Sequence, residues 1–205
     1  MPNSEFDTKA KEWDSKPRRI ALAHAVADAI RKEVRFHKKM AAFEYGCGTG
    51  LVSFALQPYL GHITLADSSE GMLAVLNGKI AEAGITNMST IKLDLDVDPL
   101  PAARYHLLYT SMVLHHIADT QMMLQRFYSL LTPSGHVCIA DLDKEDGTFH
   151  EPGFEGHNGF DRNAIRKQLI GAGFQNVRVV TCTHTTKETI NGIKTFSVFL
   201  AAGDK

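Results

Sequence analysis

The residues able to do chemistry are concentrated at a few points of the chain. Glu44 ends the apolar run Ala41-Ala42-Phe43, and glycines then stand at alternate positions, Gly46, Gly48 and Gly50. Asp67 closes a second run, Asp94 and Asp96 close a third, and Ser111 and the pair His115-His116 follow a fourth. His150 and His157 lie in a polar stretch beyond a fifth. Glycine lets a backbone approach a ligand and take positive φ, so alternating glycines after a strand suggest a nucleotide cradle. The gap from Gly50 to Asp67 suits an acid that holds both hydroxyls of a ribose. An acid ahead of the first glycine would repel a diphosphate and attract a cation such as an amino group or a sulfonium. Histidine titrates near neutrality, so His115 and His116 qualify by type and place as proton acceptors, His115 being the stronger candidate. His150 and His157 either face a substrate or join Asp141 and Asp143 around a metal; no spacing here matches a metal motif, and no metal is assigned.

These groups need elements to position them. Ala41 to Glu44 reads as a strand, and Leu51 to Gln57 as a helix closed by Pro58. A second strand runs from Gly61 to Asp67, and a helix capped by Ser68 or Ser69 continues to Ala83, where Gly84 stops it. Ser89 to Leu95 is a third strand and Tyr105 to Thr110 a fourth, apolar enough to be buried on both faces. Asp119 opens a helix that Pro133-Ser134-Gly135 ends, and His136 to Leu142 is a fifth strand. The long loop from Asp143 to Phe160 points to a functional segment. A helix from Asp161 to Ala172 follows, then two β-branched runs, Asn176 to Thr186 and Lys194 to Ala202, joined through Asn191-Gly192. Ahead of all this, the spacing of Ile20, Ala23, Ala27, Ile30 and Val34 after Pro17 predicts a long first helix. The βαβα repeat closed by a hairpin predicts an α/β fold with a mostly parallel sheet covered on both faces.

Composition removes several classes of function. With 205 residues and 44% hydrophobic composition the chain suits one globular domain. A net charge of −1 without long runs of one sign favours neither nucleic acid nor an anionic membrane. Met1 to Asp14 is polar, without the apolar core of a signal peptide, and no apolar run reaches membrane length; a soluble cytoplasmic protein is expected. Cys47, Cys138 and Cys182 are scattered and form no CxxC pair, which argues against a disulfide framework or a thiolate zinc site.

The motif Glu44-Tyr45-Gly46-Cys47-Gly48-Thr49-Gly50, followed by Asp67-Ser68-Ser69-Glu70-Gly71-Met72, Asp94-Leu95 and Ser111-Met112-Val113-Leu114-His115-His116, resembles the class I S-adenosylmethionine-dependent methyltransferases. The resemblance covers nearly the whole chain and is strongest for the small-molecule branch labelled methyltransferase type 11 or 12. It implies a Rossmann-like, doubly wound seven-stranded sheet of order 3-2-1-4-5-7-6, with strand 7 antiparallel. A single domain over residues 1–205 is implied, with an N-terminal lid and helix over 1–38 and a core over 39–205. S-adenosylmethionine would be the cofactor and S-adenosylhomocysteine the product.

By that resemblance Gly46, Gly48 and Gly50 lie against the methionine portion of the cofactor, with Cys47 inside the same turn and Glu44 near the amino group. Asp67 takes the ribose hydroxyls, Ser68 and Met72 border the adenine, Asp94 and the Leu95 backbone read its edge, and Ser111 touches the methionine end. Phe6 and Trp13 fall where relatives carry an aromatic lid, although burial beneath the first helix accounts for them equally. The implied reaction is methyl transfer to an oxygen or nitrogen of a small-molecule acceptor; a non-catalytic protein that binds the same cofactor is the alternative. A nicotinamide oxidoreductase is disfavoured by Glu44 and the glycine spacing. The chain has no Asn-Pro-Pro-Tyr after strand 4 and no Pro-Cys dipeptide, which argues against modification of nucleic-acid bases. Strand 4 ends in Ser111 rather than an acid, so a catechol-type magnesium site lacks a ligand.

Overall fold

The computed structural model describes residues 4–205; Met1 to Asn3, the start of the predicted N-terminal extension, lie outside the described residues. Seven strands form one sheet: β1 (Ala41–Tyr45), β2 (His62–Asp67), β3 (Met88–Lys92), β4 (Tyr105–Ser111), β5 (Leu131–Leu142), β6 (Gln175–Thr189) and β7 (Gly192–Asp204). Their order is β3-β2-β1-β4-β5-β7-β6, with β7 antiparallel to β5 and β6 and the remaining pairs parallel. This is the predicted sheet. Strand order reverses between β1 and β4, and in an open parallel sheet that switch point is where the crevice for a ligand forms.

Six helices accompany the sheet: α1 (Ser4–Lys9), α2 (Pro17–Glu33), α3 (Leu51–Leu56), α4 (Glu70–Glu82), α5 (Thr120–Leu130) and α6 (Arg162–Gly171). Val26 and Ile30 of α2, Val52 and Leu56 of α3 and Leu76 of α4 share one buried cluster with β-strand residues. Met123 and Phe127 of α5 and Ile165 and Leu169 of α6 share the other. α2 to α6 thus each bury an apolar stripe on one face of the sheet, giving three layers. Between them Leu107, Leu108 and Tyr109 of β4 are fully buried, as expected of a central parallel strand.

Several boundaries differ from the sequence expectation. β3 stops at Lys92 instead of reaching Leu95, because the Asp94 carbonyl accepts the N–H groups of Val97 and Asp98 and turns the chain there. Pro133-Ser134-Gly135 does not end the helix: α5 stops at Leu130 and β5 starts at Leu131, so the three residues lie within the strand, where a register shift against Tyr105 and Leu107 accommodates the proline. The terminal hairpin is longer than predicted and turns through Ile190 and Asn191, with Gly192 at φ 96° opening β7. Ser4–Lys9 and the 3₁₀ turns at Ala10–Ser15 give the polar N-terminal stretch a regular structure that its composition did not announce.

Candidate functional site

The cradle is built where β1 ends. Gly46, Gly48 and Gly50 have φ of 69°, 52° and 81°, the left-handed region in which a side chain is strained. At Gly46 space is also decisive, since a Cβ there would stand 2.4 Å from Val113 Cγ2. The N–H groups of Gly46 and Cys47 donate to the Ala66 carbonyl at 2.8 and 3.0 Å, which ties the turn to β2. Asp67 closes the same junction: Oδ2 accepts from the Gly48 N–H at 2.7 Å and Oδ1 from the Ser69 N–H at 2.9 Å. Burial pushes the Asp67 carboxyl up, and these backbone donors partly offset it.

Glu44 points into the protein. It is 2% exposed, and Oε2 accepts a hydrogen bond from Ser53 Oγ, which also bonds the Tyr109 hydroxyl. Burial raises its carboxyl to about 8. Ser69 Oγ caps α4 by accepting the Met72 N–H at 3.1 Å, and Met72 itself is buried. Leu95 is buried as well, and its N–H donates to the Tyr45 hydroxyl at 3.1 Å, so the structure engages elsewhere the donor assigned to the adenine edge. Asp94 Oδ1 accepts the Asp96 N–H at 3.0 Å.

The N-terminal segment is fastened across this cradle by two aspartates. Asp7 Oδ1 accepts from Ser69 Oγ at 2.5 Å and from the Gly71 N–H at 2.8 Å. Asp14 accepts from Thr49 Oγ1 at 2.5 Å and pairs with Lys79 Nζ at 2.6 Å, while the same ammonium donates to the Thr49 carbonyl at 2.8 Å. Arg19 stacks on Trp13 with its guanidinium carbon 3.5 Å from the ring centroid. Trp13 Nε1 lies 4.0 Å from the point where a Cβ on Gly48 would be. Phe6 continues the cover, 5.9 Å from Trp13 and 5.6 Å from the His116 ring.

Beyond β4 the chain turns at Met112, whose φ of 59° is rare for a residue with a side chain and costs roughly 1–2 kcal/mol. That turn packs Val113 on Gly46 and sends Leu114–His116 into a 3₁₀ turn. His115 is 1% exposed, and its Nδ1 lies 2.6 Å from Oδ1 of the fully buried Asp141. A carboxylate only accepts, so Nδ1 is the ring nitrogen that donates to Asp141, and Nε2 is directed away from it. The loop after β5 closes on this turn: the His157 N–H donates to the His115 carbonyl at 2.7 Å, and His150 stacks on Phe154 with centroids 3.7 Å apart. Burial first, then the His115 and His150 imidazoles, lowers His116 to about 3; burial, then His115 and the Lys187 ammonium, lowers His150 to about 4.

A methyltransferase domain model matches residues 42–135, the span from β1 to the start of β5. An uncharacterized methyltransferase of Schizosaccharomyces pombe is 31% identical over 171 residues, covering 75% of this chain and 60% of the relative. The chain is similar in sequence to methyltransferases, and its fold is that of solved S-adenosylmethionine-dependent methyltransferases. A ubiquinone biosynthesis O-methyltransferase of Marinobacter nauticus is 28% identical over 111 residues, 53% of this chain and 46% of that one. The chain therefore spans about half to three fifths of the length of these two relatives. A solved S-adenosylmethionine-dependent methyltransferase of Aquifex aeolicus superposes with a TM-score of 0.71 at 20% identity, with 97% of each chain covered.

Within this methyltransferase fold, the structure gathers the glycine turn, Asp67, Ser68, Met72 and Asp94 along the ends of β1 to β3, and Ser111 and His115 at the end of β4. It does not assemble His150 and His157 with Asp141 and Asp143. His157 Nε2 bonds the Ile117 carbonyl at 2.9 Å, and Asp143 is held by Arg162 through two bonds of 2.6 Å. Sequence reasoning missed Asp141 as the partner of His115, and Asp7 and Asp14 as the fasteners of the N-terminal segment. Asp141 was legible as a polar residue near the carboxyl end of a buried strand; pairings across 62 and 35 residues left no local signal. Among the described residues no helix is long and apolar enough to cross a membrane.

Proposed function

We propose that the chain is an S-adenosylmethionine-dependent methyltransferase that methylates an oxygen or nitrogen of a small-molecule acceptor. The observation that carries this reading is the His115–Asp141 pair on the turn whose Val113 packs on Gly46 of the cradle, with Phe6 of the N-terminal cover against the adjacent His116. In this reading Asp67 would take the ribose hydroxyls and the glycine turn would lie against the methionine portion. The acceptor would lie between Phe6 and the loop that carries His150 and Phe154, whose aromatic rings exclude water from the reacting atoms.

S-adenosylmethionine would supply the methyl group there, its carbon–sulfur bond breaking as the acceptor's lone pair bonds the methyl carbon. His115 Nε2 would take the proton that the acceptor loses. Asp141 holds the imidazole in the required tautomer and stabilises the imidazolium that forms, the role of the third member of a nucleophile–base–orienter set. Relatives named as O-methyltransferases are consistent with an oxygen acceptor.

Titration calorimetry with S-adenosylmethionine and S-adenosylhomocysteine, with NAD as control, tests the cofactor assignment. Micromolar binding of the first two and none of NAD is expected. Transfer of a labelled methyl group to phenolic, carboxylic and amine acceptors then tests catalysis; binding without turnover on any of them would leave a non-catalytic cofactor-binding protein.

A further inference from the structure

Two residues adjacent in sequence and one from a distant loop bring three imidazoles together. His115 and His116 come from the 3₁₀ turn after β4, and His150 from the loop after β5. One ring nitrogen from each lies within 4.8 Å of the other two. The ring centroids are 4.2 Å apart for His115 and His116, 4.9 Å for His115 and His150, and 5.4 Å for His116 and His150. His116 Nδ1 and His150 Nε2 are buried without any hydrogen-bond partner, whereas most buried polar atoms have one. Two such atoms in one cluster point to a shared occupant.

We propose that His115, His116 and His150 form a binding site for a divalent transition-metal ion. The donor set is three imidazoles with no thiolate, which suits zinc and its neighbours rather than magnesium or calcium. Asp141 supplies the outer partner that metal-binding histidines use: by taking Nδ1–H of His115 it directs Nε2 toward the ion and raises its basicity. Nitrogens bound at roughly 2.0–2.1 Å sit about 3.4 Å apart in a tetrahedron, so the three nitrogens, within 4.8 Å of one another, draw closer when an ion binds. Three protein ligands leave a fourth position open for water or an acceptor oxygen.

The surroundings favour access from one side. His150 also lines a cleft of about 220 Å³ with Glu151, Lys187 and Glu188, which gives an ion a way in. Phe6 covers His116, and Phe154 stacks on His150, so the other sides are apolar. With the ion bound, His115 Nε2 is a ligand and no longer a base, and an acceptor hydroxyl would lose its proton through coordination to the ion. Metal binding itself stands apart from the methyl-transfer reading, because it is measured directly.

The experiment is titration of the untagged, chelator-treated full chain with Co²⁺, read by visible absorption, followed by competition with Zn²⁺. One equivalent of Co²⁺ with the intense bands of a four-coordinate ion, displaced by Zn²⁺, is expected. His116→Ala and His150→Ala should each weaken binding at least 10-fold, Asp141→Asn should weaken it on the scale of about 10- to 100-fold, and His157→Ala should leave it unchanged. Circular dichroism and thermal melts of His116→Ala and His150→Ala keep the comparison to folded protein, and His150→Ala is the decisive variant because its ring is half-buried. No stoichiometric binding of either ion, or binding undiminished in folded His150→Ala, would overturn the proposal. The catalytic readout separates the two roles of His115: activity lost with chelator and restored by metal supports the ion, whereas full activity of the metal-free chain limits the site to binding.

Discussion

Asp141 engages His115 twice, its Oδ1 at 2.6 Å from the ring Nδ1 and its Oδ2 accepting the backbone N–H of the same residue at 3.1 Å. One carboxylate therefore fixes both the position of the 3₁₀ turn and the tautomer of the imidazole. Asp141 Oδ1 also accepts the Leu142 N–H at 2.7 Å, so the carboxylate is held by β5 itself. Because that carboxylate is fully buried, its pairing defines the local structure as well as the chemistry.

The first prediction concerns that pair. Asp141→Asn keeps the shape but allows the wrong tautomer, as the amide oxygen or its NH₂ can face Nδ1. Turnover should fall by at least about 10²-fold, the usual scale for general-base catalysis, with S-adenosylmethionine affinity changed less than about twofold. His115→Gln should do the same. Steady-state and binding measurements on folded variants check this; wild-type turnover in either would make the pair structural.

Asp67 bridges the turns that carry Gly48 and Ser69, and the proposed cofactor would compete with these two donors for its oxygens. Asp67→Ala should weaken S-adenosylmethionine binding by about 1.5–3 kcal/mol, the range for a hydrogen bond to a charged group. Asp67→Asn should fall between the two, since it keeps one acceptor. Equal calorimetric affinities for Asp67→Ala and wild type would remove Asp67 from the ribose.

Legibility in the sequence followed the locality of the interactions. The βα alternation was readable because each unit carries its own period and its own stop signal, such as Gly84 and Gly173 after α4 and α6, whereas the strand order was implied only by the family resemblance. Gly46, Gly48 and Gly50 were readable because positive φ there demands glycine. How the N-terminal cover is fastened was not, because Asp7 and Asp14 hold it through long-range bonds from Ser69, Gly71, Thr49 and Lys79, and Phe6 meets the distant His116 ring. The histidine cluster escaped for the same reason: His150 joins His115 only through the path of a loop without periodicity. Glu44 was legible as an acid at the cradle, but its inward bond to Ser53 depends on α3 packing over β1.

A third prediction addresses the N-terminal cover. Asp14 links Thr49 and Lys79 at a partly buried position, and one such exposed-edge pair contributes about 1 kcal/mol or less to stability. Asp14→Ala should leave the melting temperature nearly unchanged but loosen the segment locally. Faster amide exchange over residues 4–15 and a faster release of S-adenosylmethionine are expected. Unaltered exchange in that segment would show that Asp7 and the aromatic contacts suffice to hold it.

The last prediction is a pH dependence. Glu44 has its carboxyl raised from 4.5 to about 8, burial outweighing the bond from Ser53. Between those two values the folded chain keeps the proton and the unfolded chain loses it, so the unfolded state binds fewer protons and stability falls as pH rises. The contribution is fully present below about pH 4.5 and lost by about pH 8. Glu44→Gln keeps the bond from Ser53 and has no proton to lose, so its stability should be flatter across this window. Urea denaturation of both proteins at several pH values measures the difference, expected to reach a few kcal/mol at the alkaline end, on the scale of about 1.4 kcal/mol per unit of pKa. Parallel curves for Glu44→Gln and wild type would mean that Glu44 ionises in the folded chain as it does in the unfolded one.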